Sequence, residues 1–298
     1  MMMLRLENIN DHDLPPIKPA VLRLWQLLGS RNATLAEIAE AVSTEPVLCA
    51  RIMAIANSPM YRGLEKITSP HKALVRLGLR EVRGIVYYLT LTQSLSEAGL
   101  PRAFALRKLW GHSLAAAYFC QQIPLYFPHL LPLTEEEREM VYVTGLLHDI
   151  GYLVMATLAP EGFTELSMSW EAGVEPALDA EERIFGMTHP VVSAKTLKLW
   201  GFAREVQLAV YGHHRLVRED APGSIFLVKL ADYLATEAGY VFNPGISVLQ
   251  KRSTLPETLL KPDFGPLIQE VSLKTDALLG QMNELQAGHR GDDGSSHR

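Results

Sequence analysis

Apolar residues along this chain recur at intervals of three and four positions, not two. That period belongs to helices with one buried face, and no run alternates as a half-buried strand would. The pattern predicts an all-α fold. The first helix is expected over Pro19–Leu28 (PAVLRLWQLL), stopped by Gly29 and Asn32. Thr34 with Glu37 forms a capping box, since the threonine can accept from the amide three residues on while the glutamate reaches back. Pro46 suits the first turn of the next helix, where its missing N–H costs nothing. A loop follows, then helices over Lys72–Leu79 and Leu79–Ser94. Beyond it, helices are expected over Ala105–Gln122, Glu135–Met155, Glu175–Phe185, Pro190–Trp200, Ala203–His213, Ser224–Ala238 and, more weakly, Pro266–Gln286. PLYFPHLLPL reads as a proline-broken loop. Gly99–Arg102, punctuated by Pro101, marks the expected boundary between an N-terminal helical subdomain (1–99) and a second helical domain (100–286). The last residues, 287–298, are nearly free of apolar side chains and are expected to be disordered.

Composition narrows the function. Of 298 residues, 48% are hydrophobic and 20% charged, enough to bury a sizeable core and to exclude wholesale disorder. A net charge of −5 argues against a dedicated nucleic-acid binder. Cys49 and Cys120 are far apart, which excludes a disulfide scaffold or cysteine zinc cluster and fits reduced thiols in the cytoplasm. The opening MMMLRLENINDHD lacks the apolar core of a signal peptide. The longest apolar stretch, Val141–Pro160, could cross a bilayer by length, but His148 and Asp149 sit in its middle. An ionisable pair there is costly in lipid, so a buried helix with polar work to do is expected, and no membrane contact.

That pair belongs to a larger set. Ten histidines are present; His12, His289 and His297 lie near the ends, His129 in the proline loop, and His71 beside a helix start, all read as ordinary surface residues. The others lie within apolar helices: His112 in LWGHSLAAAYF, His148-Asp149 in TGLLHDIGYLV, His189 in GMTHPVVSA, His213-His214 in AVYGHHRLV, with Asp232 in VKLADYLA. A single buried histidine is most simply a core residue with its hydrogen bonds made. Several such segments plus two aspartates in apolar surroundings point further, because buried charges are normally paired or bound to metal. Imidazole nitrogen and carboxylate oxygen suit iron, manganese or zinc. Adjacent helical residues point about 100° apart, so His148 and Asp149 can converge on one ion only where another helix crosses, and His213 and His214 cannot both point the same way.

The order H…HD…H…HH…D resembles the HD superfamily of helical metal-dependent phosphohydrolases. LPPIKPAVLRLWQLL, then ANSPMYRGLEKITSPHKALVRLGLREVRGIV, then GLLHDIG closely resemble the HDOD (HD-related output domain) family, over roughly Leu14–Ala238. The resemblance implies an N-terminal helical bundle packed against an HD-like multi-helix domain. It also implies a bacterial signal-transduction protein acting through a protein partner or a small phosphorylated ligand. By resemblance, His112, His148, Asp149 and Asp232 match a first metal-ligand set, and His189, His213 and His214 a second, with Asp149 as a bridge. One or two divalent transition ions (iron, manganese or zinc) would be held there. No catalytic residue is assigned. The alternative is an active phosphohydrolase on a nucleotide or other phosphoester. The sequence departs from the HD-GYP phosphodiesterases, which hydrolyse cyclic di-GMP: Tyr152 stands where they carry lysine, RLVREDAPGS replaces the GYP motif, and Lys108 stands where some carry a further carboxylate. Cyclic di-GMP hydrolysis and a trinuclear site are therefore not expected.

Other signals are weaker. Arg215, beside the histidine pair, is a candidate ligand-binding cation, although a charge at a helix end is favoured by the helix dipole alone. TLAEIAEAVSTEPVLCARIMAIAN superficially resembles a helix-turn-helix, but from Pro46 to Asn57 its only cation is Arg51, so a DNA-reading face is not expected. Arg76, Arg80 and Arg83 form a basic stripe if their helix is continuous.

Overall fold

A computed structural model describes residues 18–29, 33–58, 61, 65–96, 99–173, 175–216, 218 and 220–292. The segment LPPI at 14–17, the expected stop at Asn32 and the end of the tail, 293–298, lie outside the described residues. The described chain is helical, without a strand: α1 (Pro19–Gly29), α2 (Leu35–Ser43), α3 (Pro46–Ala56), α4 (Pro70–Ser96), α5 (Leu106–Tyr126), α6 (Glu135–Leu147), α7 (Ile150–Leu158), α8 (Pro160–Ala172), α9 (Ala177–Phe185), α10 (His189–Leu199), α11 (Arg204–Gly212), α12 (Gly223–Glu237), α13 (Val248–Ser253) and α14 (Gly265–Asp292), with a 3₁₀ turn at Glu257–Leu260. The helices divide into two units, one of Lys18–Leu91 with the residues from Glu270 onward, the other of Thr92–Gln269.

In the smaller unit the capping box at Thr34 and Glu37 forms as the pattern predicts. Its core gathers Leu24, Trp25, Leu28, Val42, Ile52 and Ile55. Trp25 donates its indole N–H to Thr90 Oγ1 at 3.0 Å, so the polar edge of a buried ring is satisfied. The two helices expected over Lys72–Leu79 and Leu79–Ser94 are present within α4, divided at Gly78 (φ 78°, ψ 149°), a conformation that suits glycine. The kink separates Arg76 from Arg80 and Arg83, so a continuous basic stripe does not follow. Arg76 instead donates to the Glu65 carbonyl at 2.8 Å.

In the larger unit, the single helix expected over Glu135–Met155 is two. Asp149 (φ −101°, ψ 12°) leaves the helical region and divides α6 from α7. The apolar span here is 89% buried, so its composition serves the core. The helix before it also differs from expectation: α5 continues to Tyr126, with Pro124 in its final turn. The helix α8 was not anticipated, although it opens on Pro160 and closes on Gly173 with φ 61°. The expected tail 287–298 falls partly within α14, which runs to Asp292.

Two glycines bring the site's helices into close contact. A Cβ on Gly145 of α6 would stand 2.8 Å from the Ala116 carbonyl, the Ala117 Cα and Cys120 Sγ, so the small residues of α5 and α6 meet backbone to backbone. A Cβ on Gly151 of α7 would stand 2.3 Å from the His189 carbonyl. The Gly151 amide donates to Ser193 Oγ at 2.7 Å, which ties α7 to α10.

Candidate metal centre

His112 projects from the middle of α5, His148 and Asp149 from the break between α6 and α7, and His189 from the first position of α10. His213 and His214 follow the end of α11, and Asp232 lies on α12. The sequence pattern required crossing helices to converge these side chains. The structure adds a second device, in that the pairs sit where a helix ends. His148 caps α6 and His213 caps α11, each in αR conformation. Each ring donates its Nδ1–H to the carbonyl three residues back, Gly145 at 2.8 Å and Val210 at 2.5 Å. Those carbonyls belong to the last helical turn, which has no amide of its own to satisfy it.

The same orientation recurs in the other rings. His112 Nδ1–H donates to the Tyr240 carbonyl at 2.7 Å, and His189 Nδ1–H to Glu181 Oε2 at 2.8 Å. An acceptor at Nδ1 holds that proton in place and leaves the Nε2 lone pair of the neutral ring facing inward. Four Nε2 atoms therefore converge: His112 and His148 stand 3.2 Å apart, His189 and His213 3.3 Å apart. Lone pairs at that distance repel unless a proton or a cation lies between them. Donor atoms about 2.0–2.1 Å from a common ion stand at about this separation.

Asp149 lies between the two pairs. Its Oδ2 is 3.5 Å from His112 Nε2 and 3.4 Å from His148 Nε2; its Oδ1 is 3.2 Å from His189 Nε2 and 3.4 Å from His213 Nε2. Asp232 Oδ1 completes the first side, 2.9 Å from His112 Nε2 and 3.7 Å from His148 Nε2. His214 Nε2 is 3.9 Å from Asp232 Oδ2, and its ring centre is 4.2 Å from that of His213. The donor atoms form two groups, each able to hold a metal ion: His112, His148 and Asp232, and Asp149, His189, His213 and His214. Asp149 Oδ1 is buried without a hydrogen-bond partner. A desolvated carboxylate oxygen facing two imidazole lone pairs fits a cation.

Electrostatics follow from burial and proximity. Burial works against the charged forms of Asp149 and Asp232, but it is outweighed. His148, His189 and His213 hold Asp149 well below the usual carboxylate range, and Lys251, His112 and His148 do so for Asp232. Burial pushes His213 down to about 4. For His189 burial acts in the same direction, but Glu181 and Asp149 prevail and raise it to about 9.

Three surrounding residues were not anticipated. Glu181 on α9 is fully buried, accepts from the His189 ring and amide, and accepts from the Tyr152 hydroxyl at 2.7 Å. Its signal was present: in ALDAEERIF it falls with Ala177, Ala180, Ile184 and Phe185 on the apolar face. Tyr152, noted only as a departure from another motif, stacks on His189 with ring centres 4.0 Å apart and accepts from Asn243 Nδ2. Lys251, on the short helix α13, donates to Asp232 Oδ1 and to Thr236 Oγ1. No periodicity in VLQKRS singles it out. Arg215, by contrast, is exposed, with its guanidinium 4.0 Å over the Tyr211 ring.

A family model described as HDOD domain matches residues 14–216. A curated relative, an uncharacterized protein of Treponema pallidum (strain Nichols), is 22% identical over 208 residues, 68% of this chain and 38% of the relative. Among solved structures, a candidate signal transduction protein from Marinobacter aquaeolei VT8 superposes with a TM-score of 0.69 at 24% identity, over 95% of this chain and 62% of that one. An HDOD domain protein with unknown function from Geobacter sulfurreducens superposes with a TM-score of 0.65 at 26% identity, over 92% of this chain and 91% of that one. A candidate phosphohydrolase from Shewanella amazonensis SB2B gives 0.69 at 20% identity, over 92% and 96%. The chain thus spans less than two thirds of the length of the Treponema and Marinobacter proteins.

Proposed function

The chain belongs to the HDOD family, and we propose on that footing that it is a signal-transduction output module. In this reading a buried metal cluster holds its helices in register while its surface engages a protein partner or a small phosphorylated ligand. The observation that carries the reading is the burial of the cluster. His112, His148, Asp149, His189, His213 and Asp232 are each at most 3% exposed, and only His214 is intermediate. A hydrolytic metal site keeps a coordination position open to substrate; a buried ligand set suits a structural ion. The name given to the Marinobacter structure is in keeping with a signalling role.

The donor atoms offer two positions, one among His112, His148 and Asp232 and the other among His189, His213 and His214, with Asp149 between them. Neutral imidazoles and carboxylates suit iron, manganese or zinc. The residues outside the cluster have their own tasks: Glu181, Gly145, Val210 and Tyr240 fix the ring orientations, and such outer contacts set ligand basicity.

A second reading, a metal-dependent phosphohydrolase, is favoured by the completeness of the donor set and by the unpartnered Asp149 Oδ1. A bound ion would bring a water's pKa toward about 7 and polarise a phosphoryl oxygen. One experiment separates the readings. Untagged protein, loaded with iron, manganese or zinc, is assayed beside Asp149→Ala on a panel of nucleotides, phosphomonoesters and phosphodiesters. The signalling reading expects bound metal, lost in the variant, with no turnover by either. Turnover by wild type that disappears in Asp149→Ala would establish the hydrolase instead.

A further inference from the structure

The two sides of the cluster are not equivalent. On the side of His189 and His213, the carboxylate oxygen facing the imidazoles, Asp149 Oδ1, has no hydrogen-bond partner. On the side of His112 and His148, the corresponding oxygen, Asp232 Oδ1, already accepts from the ammonium of Lys251. Lys251 is itself buried and held in place. Thr236 Oγ1 accepts from Nζ at 2.9 Å while its hydroxyl donates to the Asp232 carbonyl at 2.9 Å. The Ser247–Gln250 capping box fixes the start of α13 one turn earlier. Resting on the reading of the cluster as a metal centre, we propose that Lys251 is an internal cation that takes the place of one metal ion. It leaves the protein a one-ion site, held by Asp149, His189, His213 and His214.

Two arguments support this. An ion drawn to Asp232 Oδ1 would compete with Lys251 for the same oxygen. A buried ammonium deprived of its carboxylate is strongly disfavoured. The charge count agrees. The cluster and its surroundings bury the carboxylates of Asp149, Glu181 and Asp232 and the ammonium groups of Lys251 and Lys229, the latter bound to the carbonyls of His213 and Arg215. With the imidazoles neutral, as metal ligands must be, these leave one negative charge. A single divalent ion brings the site to one positive charge, whereas two bring it to three, in surroundings that tolerate little net charge.

Manganese titrations of the full chain test the inference, with bound equivalents read by elemental analysis and coupling between ions by electron paramagnetic resonance. Wild type is expected to bind one equivalent, lost in His213→Ala and retained in His112→Ala. Lys251→Met, checked for folding by circular dichroism, is expected to bind two and to show the spectrum of a coupled pair. Lys251→Arg is expected to keep one. Two equivalents in wild type, or one that His112→Ala abolishes and His213→Ala does not, overturns the role of Lys251 while leaving the metal reading intact. The wild-type results decide the matter even if Lys251→Met does not fold. Failure of both wild type and Lys251→Met to bind any ion overturns the metal reading itself, and this inference with it.

Discussion

Glu181 holds His189 at two points: its Oε2 accepts the backbone amide at 2.7 Å and the ring Nδ1–H at 2.8 Å. The amide is at the start of α10, where the helix has unsatisfied donors and a positive dipole end. Thr188 makes no side-chain cap there. The carboxylate therefore fixes the helix start and the imidazole together. Glu181→Gln keeps the shape but loses the charge, and its amide can accept through only one oxygen. Affinity for a divalent ion is expected to fall by about 10- to 100-fold, the range seen when such outer partners are removed. Competition against a fluorescent chelator measures it; an unchanged affinity would separate Glu181 from the metal centre.

Close packing at Gly151 gives a prediction about stability. A methyl there would drive into the His189 carbonyl and into Ser193, whose Oγ and amide lie 2.7 and 2.9 Å from an ideal Cβ. Two of these atoms, the His189 carbonyl oxygen and the Ser193 amide nitrogen, are backbone and cannot rotate away. Gly151→Ala is expected to cost about 1–3 kcal/mol, the usual range for overpacking. The helix propensity gained over glycine offsets this by less than about 1 kcal/mol. Urea unfolding should show the lower midpoint, and a midpoint at or above wild type would mean that α7 and α10 are less tightly apposed.

Outside the cluster, Glu137 should contribute to acid sensitivity. It caps α6 through the Thr134 amide at 2.8 Å and accepts from Ser224 Oγ of α12 at 2.5 Å. Burial raises its pKa, but these hydrogen bonds prevail and hold it below the usual 4.5. The folded state thus binds this proton less readily than the unfolded chain does. The contribution is complete above the unfolded value and is lost as pH falls through the lower, folded one. Glu137→Gln should destabilise the protein at neutral pH and flatten the acid limb of its stability profile. Parallel profiles for variant and wild type below pH 4.5 would contradict the assignment.

Removal of metal should loosen the larger unit. An ion that binds only the folded state stabilises it by about 2.7 kcal/mol at a hundred times its dissociation constant. A chelator is expected to lower the melting temperature of wild type and to leave Asp149→Ala unmoved. Equal responses would show that the chelator acts elsewhere.

Much of this was legible in the residue order. Helix period, the capping box at Thr34 and the placement of His112, His148, His189, His213 and Asp232 within apolar helices are local properties, readable one turn at a time. The small-residue run Ala115–Ala117 allows a close helix contact, which Gly145 supplies. Misreadings arose where local signals are silent or ambiguous. Val141–Met155 is apolar on both sides of His148 and Asp149 and carries no proline, so the break at Asp149 is not marked as a helix end. That break exists because two neighbouring side chains must reach one centre. The helix α8 did carry its proline and glycine signals, but its apolar stripe is sparse.

The sequence by itself determined the helices, their apolar faces and which residue types could bind metal, because those follow from backbone periodicity and side-chain chemistry. Only the tertiary structure decided that Asp149 stands between two imidazole pairs, that Glu181 lies behind His189, and that Lys251 takes the oxygen of Asp232. Each of these joins residues from different helices. A spacing along the chain carries no record of which helix crosses which. Convergence is settled by how the apolar faces pack and by where glycines let backbones approach.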